Sequence, residues 1–172
     1  KHADGYFNAE WLCSQPTLLA AICEDLSLVL EKCEAPDWVI GPKDDHSDLF
    51  ASKISELLDL RINWVAQNGK GVPQLNFHIG EKEKVLVVTI ELKPRVETID
   101  PITAFLSERG ILTVPYICTV ANHVLAVRTD GRQIISYVNL SFQSWEPPRC
   151  PLCPAGSKVI SLAELKETLQ TI

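Results

Sequence analysis

Two short runs of consecutive apolar residues, Trp38-Val39-Ile40 and Val85-Leu86-Val87-Val88, stand among segments whose apolar residues return at helical spacing. A strand that is apolar at every position needs cover on both faces, which is the condition of strands inside a largely parallel sheet flanked by helices. Strands alternating with helices point to the same layered α/β arrangement. In such sheets ligands sit beyond the carboxyl ends of the strands, so the turns after Ile40 and Val88 are where chemistry is expected.

Around these runs the elements fall into order. Leu18, Leu19, Ile22, Leu26, Val29 and Leu30 predict an amphipathic helix from Pro16 to about Cys33, with Pro16 in its first turn and Ala35-Pro36 after its end. Asp37 to Gly41 is a strand, and Ser47 to Leu60 a second helix with Leu49, Phe50, Ile54, Leu57 and Leu58 on one face. Ile62–Ala66 and Gln74–Ile79 flank the turn-rich Gln67-Asn68-Gly69-Lys70-Gly71, as in a hairpin or mobile loop. The strand Lys84–Val88 follows, then a helix from Asp100-Pro101 to Arg109 that Gly110 is placed to end. Strands are predicted at Ile111–Thr119, Asn122–Arg128 and Gln133–Leu140, with the pairing of the last two open, and a final helix at Ser161, whose spacing to Glu164 matches a capping box.

With 172 residues, 46% of them hydrophobic and 22% charged, the chain can bury a core and is expected to form a single domain over 1–172. It contains no Met, not even as first residue, so it reads either as a processed fragment or as a chain with residues missing, an N-terminal element among them. A net charge of −6 lacks the clustered cations that nucleic acid demands, and no apolar run approaches the roughly 20 residues that span a bilayer. A soluble cytoplasmic protein without nucleic-acid or membrane partners is expected. Six unevenly spread cysteines fit a reducing compartment better than a disulfide scaffold.

The opening Lys1-His2-Ala3-Asp4-Gly5-Tyr6-Phe7-Asn8 is similar to the segment with which orotate phosphoribosyltransferases contact the pyrimidine base. Val39-Ile40-Gly41-Pro42 resembles the strand and turn leading to that family's pyrophosphate loop, and Lys84-Val85-Leu86-Val87-Val88 the strand before its sugar-phosphate motif. Near the end, Ser144-Trp145-Glu146-Pro147-Pro148-Arg149-Cys150-Pro151-Leu152-Cys153 resembles the tail of many bacterial members. The resemblance covers the chain end to end. It implies a phosphoribosyltransferase-type fold, a central mostly parallel sheet flanked by helices with a small hood region, and a homodimer. It also makes Tyr6, Phe7 and Asn8 candidates for contacting a base.

In the family, the strand matching Lys84–Val88 leads to two adjacent acids that accept hydrogen bonds from ribose hydroxyls. A Thr- and Gly-rich turn then cradles the 5-phosphate with backbone N–H groups at a helix N-terminus. Here that turn reads Thr89-Ile90-Glu91-Leu92-Lys93-Pro94-Arg95-Val96-Glu97-Thr98. Thr89 and Ile90 stand where the acids would be, Pro94 removes a donor, and Arg95 and Val96 replace flexible glycine. Lys93 and Arg95 offer side chains to a phosphate, against the plainer alternative of a solvated charged turn, and Glu91 is a displaced ribose acid if the register shifts.

The pyrophosphate turn is altered as well. Lys43-Asp44-Asp45-His46-Ser47-Asp48 places three carboxylates where small residues are usual, which reads as a helix start capped by Asp45 or Ser47, with hard-cation binding as the alternative. Of the cations on the family's mobile loop only Lys70 remains, and Asn122 takes the place of the Arg that meets the orotate carboxylate. Cys150 and Cys153 have the spacing of a redox pair or half a zinc site, or else form a structural turn.

The expectation is therefore an orotate phosphoribosyltransferase-like protein that is catalytically inactive, with no catalytic residue, metal or cofactor assigned. Its role would lie in binding, regulation or assembly, with a nucleobase-like or anionic small ligand. The alternative is an active, Mg-dependent orotate phosphoribosyltransferase, a glycosyltransferase of pyrimidine nucleotide biosynthesis, with altered substrate contacts.

Overall fold

The computed structural model describes residues 2–67, 73–93, 99–124, 131–157 and 160–161, which form two compact units. The larger, Phe7–Ser141, is built on a six-stranded sheet. Its strands are β2 (Trp38–Pro42), β3 (Arg61–Gln67), β4 (Pro73–Leu75), β5 (Lys84–Leu92), β6 (Leu112–Asn122) and β7 (Gln133–Asn139). They lie in the order β4-β3-β2-β5-β6-β7, all parallel except β4. The smaller unit draws on both chain ends and pairs β1 (His2–Ala3) antiparallel with β8 (Ser144–Trp145).

The parallel sheet arises because β2 and β5 bury both faces. Val39, Leu86 and Val88 join Leu19, Ile22, Cys23 and Leu26 of α2 (Pro16–Leu30) and Phe50, Ala51 and Ile54 of α3 (Asp45–Leu57). On the other face Ile40, Val85 and Val87 meet Ile99, Ile102 and Leu106 of α4 (Ile99–Glu108). Each such side chain removed from water contributes about 1.5–3 kcal/mol before chain entropy is set against it. Gly110 ends α4 in the left-handed region at φ +66°, as the sequence predicts.

The chain order reverses between β2 and β5, from which the sheet grows outward to β3 on one side and to β6 and β7 on the other. Their carboxyl ends, Pro42 and Leu92, therefore flank the topological switch point.

Several elements differ from their predicted form. β5 continues four residues beyond Val88, because Thr89, Glu91 and Leu92 keep pairing with Thr119, Ala121 and Asn122 of an equally extended β6. Thr89–Leu92 is thus strand rather than turn. The predicted strand Gln74–Ile79 shortens to β4, since Asn63 Oδ1 takes the amides of Asn76 and Phe77 and draws the chain out of the ladder. Asn122 closes β6 instead of opening a new strand, while 125–128 lie outside the described residues. β7 then pairs with β6 in parallel and not as a hairpin. A short helix α1 (Ala9–Cys13) precedes α2, and the final helix predicted from Ser161 lies outside the described residues.

At the opposite end of the sheet, Glu83 binds three elements together. Its carboxylate accepts from the Gly80 amide at 2.7 Å, the Trp38 indole at 2.9 Å and the Arg61 guanidinium. These donors, the Gly80 amide foremost, hold its carboxyl down to about 2 from an ordinary 4.5. A depressed folded-state value stabilises the fold above about pH 4.5, and that contribution is lost as pH falls through about 2. Glu83→Gln is expected to flatten this part of the stability–pH profile, measured by urea denaturation across the range, whereas an unchanged acid limb contradicts the assignment.

Candidate functional site at the switch point

The β2–α3 junction is organised by its own carboxylates. Asp44, in an extended conformation, caps α3 by accepting from the amides of His46 at 3.2 Å and Ser47 at 2.9 Å. The cap is one residue earlier than the predicted Asp45 or Ser47. Asp45 and Asp48 sit in the first turn, where negative charge complements the helix dipole. Lys43 pairs with Asp48 and lies 4.8 Å from the centre of the Trp64 ring. Two of the amides that an anion would use at this helix start, those of His46 and Ser47, are therefore already engaged.

Ser47 does not cap; it is buried and faces β5. Its hydroxyl lies 3.4 Å from the Ile90 amide and 3.5 Å from Thr89 Oγ1. Thr89 and Ile90 are 3% and 5% exposed, so the two positions where the resemblance expects ribose-binding acids are packed interior. Ile90 belongs to the apolar cluster beneath α2 and α3, and Thr89 donates to the Glu91 carbonyl. Thr119, paired with Thr89 on β6, makes the matching bond to the Ala121 carbonyl, so both strands use a threonine in the same way near their ends.

Glu91 is the acid that remains. Its oxygens lie 3.1 Å from Lys93 Nζ and 3.1 Å from His123 Nε2. Burial pushes the His123 imidazole down, Glu91 pulls it up, and the Lys93 ammonium adds to the downward push. His123 was not singled out by the sequence; the parallel pairing of β5 and β6 brings it to Glu91. Beside it Asn122 is fully engaged, donating to Asn139 Oδ1 at 2.8 Å and accepting from the Val124 amide at 2.9 Å.

The structure thus brings together Lys43, Asp44, Asp45, Thr89, Ile90, Glu91 and Lys93 at the carboxyl ends of β2 and β5. Arg95, Thr98 and Lys70 lie outside the described residues. Asn8 caps α1, accepting from the Trp11 amide at 2.9 Å, and Phe7 packs partly buried on the α2 side of the core. Tyr6 is 40% exposed and belongs to the smaller unit. Among the described residues no three His, Cys, Asp or Glu side chains are grouped to hold a metal ion, and no helix is long and apolar enough to cross a membrane.

A carboxylate at position 90 should not be tolerated by this packing. Ile90→Asp is expected to cost about 3 kcal/mol or more, because the charge would be buried without a partner. Ile90→Val should cost about 1 kcal/mol. Equal urea midpoints for the two variants would show that position 90 opens onto a polar cleft.

No family model matches the chain. The orotate phosphoribosyltransferase of Caldicellulosiruptor bescii is 29% identical over 182 residues, covering 97% of this chain and 86% of that protein. Among solved structures, adenine phosphoribosyltransferase from Thermoanaerobacter pseudethanolicus superposes with a TM-score of 0.60 at 19% identity, over 75% of this chain and 84% of that one. The Trypanosoma brucei adenine phosphoribosyltransferase, solved with AMP, pyrophosphate and ribose-5-phosphate, gives 0.62 at 14% identity over 94% and 81%. By sequence the chain resembles the orotate phosphoribosyltransferases over nearly its whole length, and by architecture it has the phosphoribosyltransferase-type fold.

Proposed function

We propose that the chain is an orotate phosphoribosyltransferase-like protein that does not transfer phosphoribosyl groups and acts in binding, regulation or assembly. The observation that carries this reading is the burial of Thr89 and Ile90 against Ser47, where the family's chemistry requires two solvent-facing acids. Neither side chain supplies a carboxylate to ribose hydroxyls. The capped start of α3, with Asp45 and Asp48 in its first turn, repels a pyrophosphate.

Magnesium would enter such a site with the phosphoribosyl pyrophosphate, and the residues present do not fit that complex. Hard cations take oxygen ligands, but Thr89 and Ile90 offer no carboxylate and Glu91 is already paired with Lys93 and His123. A cytoplasmic homodimer is part of the proposal. Trp11, Leu18 and Leu49, exposed on the mutually packed α1, α2 and α3, support it by leaving apolar surface for a second copy.

The alternative, an active enzyme with altered contacts, is favoured by one observation, the near full-length likeness to a protein named orotate phosphoribosyltransferase. The test is to incubate the purified chain with orotate, phosphoribosyl pyrophosphate and Mg, then resolve the nucleotides chromatographically. No orotidine monophosphate above the enzyme-free control is expected; sustained turnover would overturn the inactive reading. Sedimentation equilibrium of the same sample is expected to give twice the chain mass, and a monomer would remove the dimer from the proposal.

A further inference from the structure

The smaller unit holds a pair of thiols that the proposed function leaves unused. Cys150 is 4% exposed and Cys153 partly exposed, and the segment between them contributes Pro151, which fixes φ and carries no N–H. The turn is closed by the Gly156 amide donating to the Cys153 carbonyl at 3.1 Å and the Ser157 amide to the Leu152 carbonyl at 3.0 Å. Gly156 adopts φ +83°, which favours glycine. Within this frame Cys150 Sγ receives the backbone amides of Leu152 and Cys153 and is hydrogen-bonded to the Cys153 thiol.

This environment differs from that of the chain's core thiols. Burial pushes Cys23 up to about 12 and Cys118 higher still, which keeps both protonated and unreactive. Cys150 is pushed up by burial too, yet the two amides and the Cys153 thiol hold it below the ordinary thiol range. Cys153 is pushed up by burial, by donating to Cys150 and by the charge there. The two sulfurs are thus hydrogen-bonded neighbours.

Zinc would need about four ligands, and no group of three His, Cys, Asp or Glu is placed to hold a metal among the described residues. Disulfide chemistry needs only the two sulfurs.

We propose that Cys150 and Cys153 form a thiol–disulfide exchange site for small-molecule disulfides, entered at Cys153 and resolved by Cys150. Cys153, its proton passed to water, attacks one sulfur of R–S–S–R. The Cys153–sulfur bond forms, the S–S bond breaks, and the leaving thiolate takes a proton from solvent. Cys150 gives its proton to water and, as thiolate, attacks Cys153 Sγ, closing the intramolecular disulfide and expelling the second thiolate, which takes a proton from solvent. The protein dithiol loses two electrons and two protons, and one disulfide becomes two thiols.

The test uses the full reduced chain, a graded series of oxidised and reduced glutathione, and mass mapping of the tryptic peptide over 150–158. Loss of two hydrogens from this peptide is expected without retained glutathione, whereas the partly exposed Cys13 and Cys33 are expected only to accumulate bound glutathione. Cys150→Ser should trap a stable mixed disulfide at Cys153, whereas Cys153→Ser should leave Cys150 largely unmodified. The mapping on the unsubstituted chain holds even if a variant folds poorly. A peptide that stays reduced across the series would overturn the proposal. So would one tightly held zinc per chain blocking both thiols, or capture of glutathione by Cys150 in Cys153→Ser at the rate seen for Cys153.

Discussion

The pairing of β5 with β6 beyond Val88 governs everything at the switch point. While Thr89, Glu91 and Leu92 remain in register with Thr119, Ala121 and Asn122, the backbone there is committed to the ladder and cannot curl into an anion-binding turn. Side-chain alternation then decides exposure, and it puts Ile90 into the apolar cluster under α2 and α3. Ser47 completes the arrangement by placing its hydroxyl at the Ile90 amide, so a strand terminus that would otherwise invite a ligand is satisfied internally.

Electrostatics at the neighbouring junction act in the same direction. A helix N-terminus opposite a strand end is a natural anion site, but here Asp44 takes the amides of His46 and Ser47, and two further acids sit in the same first turn. Lys43, the nearest cation, is held by Asp48 and rests over Trp64. Across the switch point Glu91 and Lys93 neutralise one another locally, and His123 lies against Glu91. Opposite charges are thus matched within the chain.

Much of the scaffold was legible in the sequence because it rests on local signals: apolar runs for β2 and β5, helical spacing for α2, and Gly110 at the end of α4. What was not legible depends on pairing between distant segments. Nothing local in Thr89–Leu92 says that β6 will extend alongside it. The shortening of β4 follows from the Asn63 side chain, thirteen residues from Asn76, whose amide it takes. The site shows the same division. The absence of acids at 89 and 90 was readable from residue type, but the role of Ser47 and the approach of His123 to Glu91 needed the sheet. A readable signal was missed at Asn8, whose position just before an apolar helical turn marks it as a cap.

The most direct test follows the backbone amides of the switch point in the isotopically labelled protein as phosphoribosyl pyrophosphate and Mg are added. Internal satisfaction of this region predicts that the resonances of His46, Ser47, Ile90 and Leu92 stay in place through millimolar ligand. A saturable shift of these amides together would contradict the account, because it would require the β5 terminus to open and the α3 cap to yield to a phosphate.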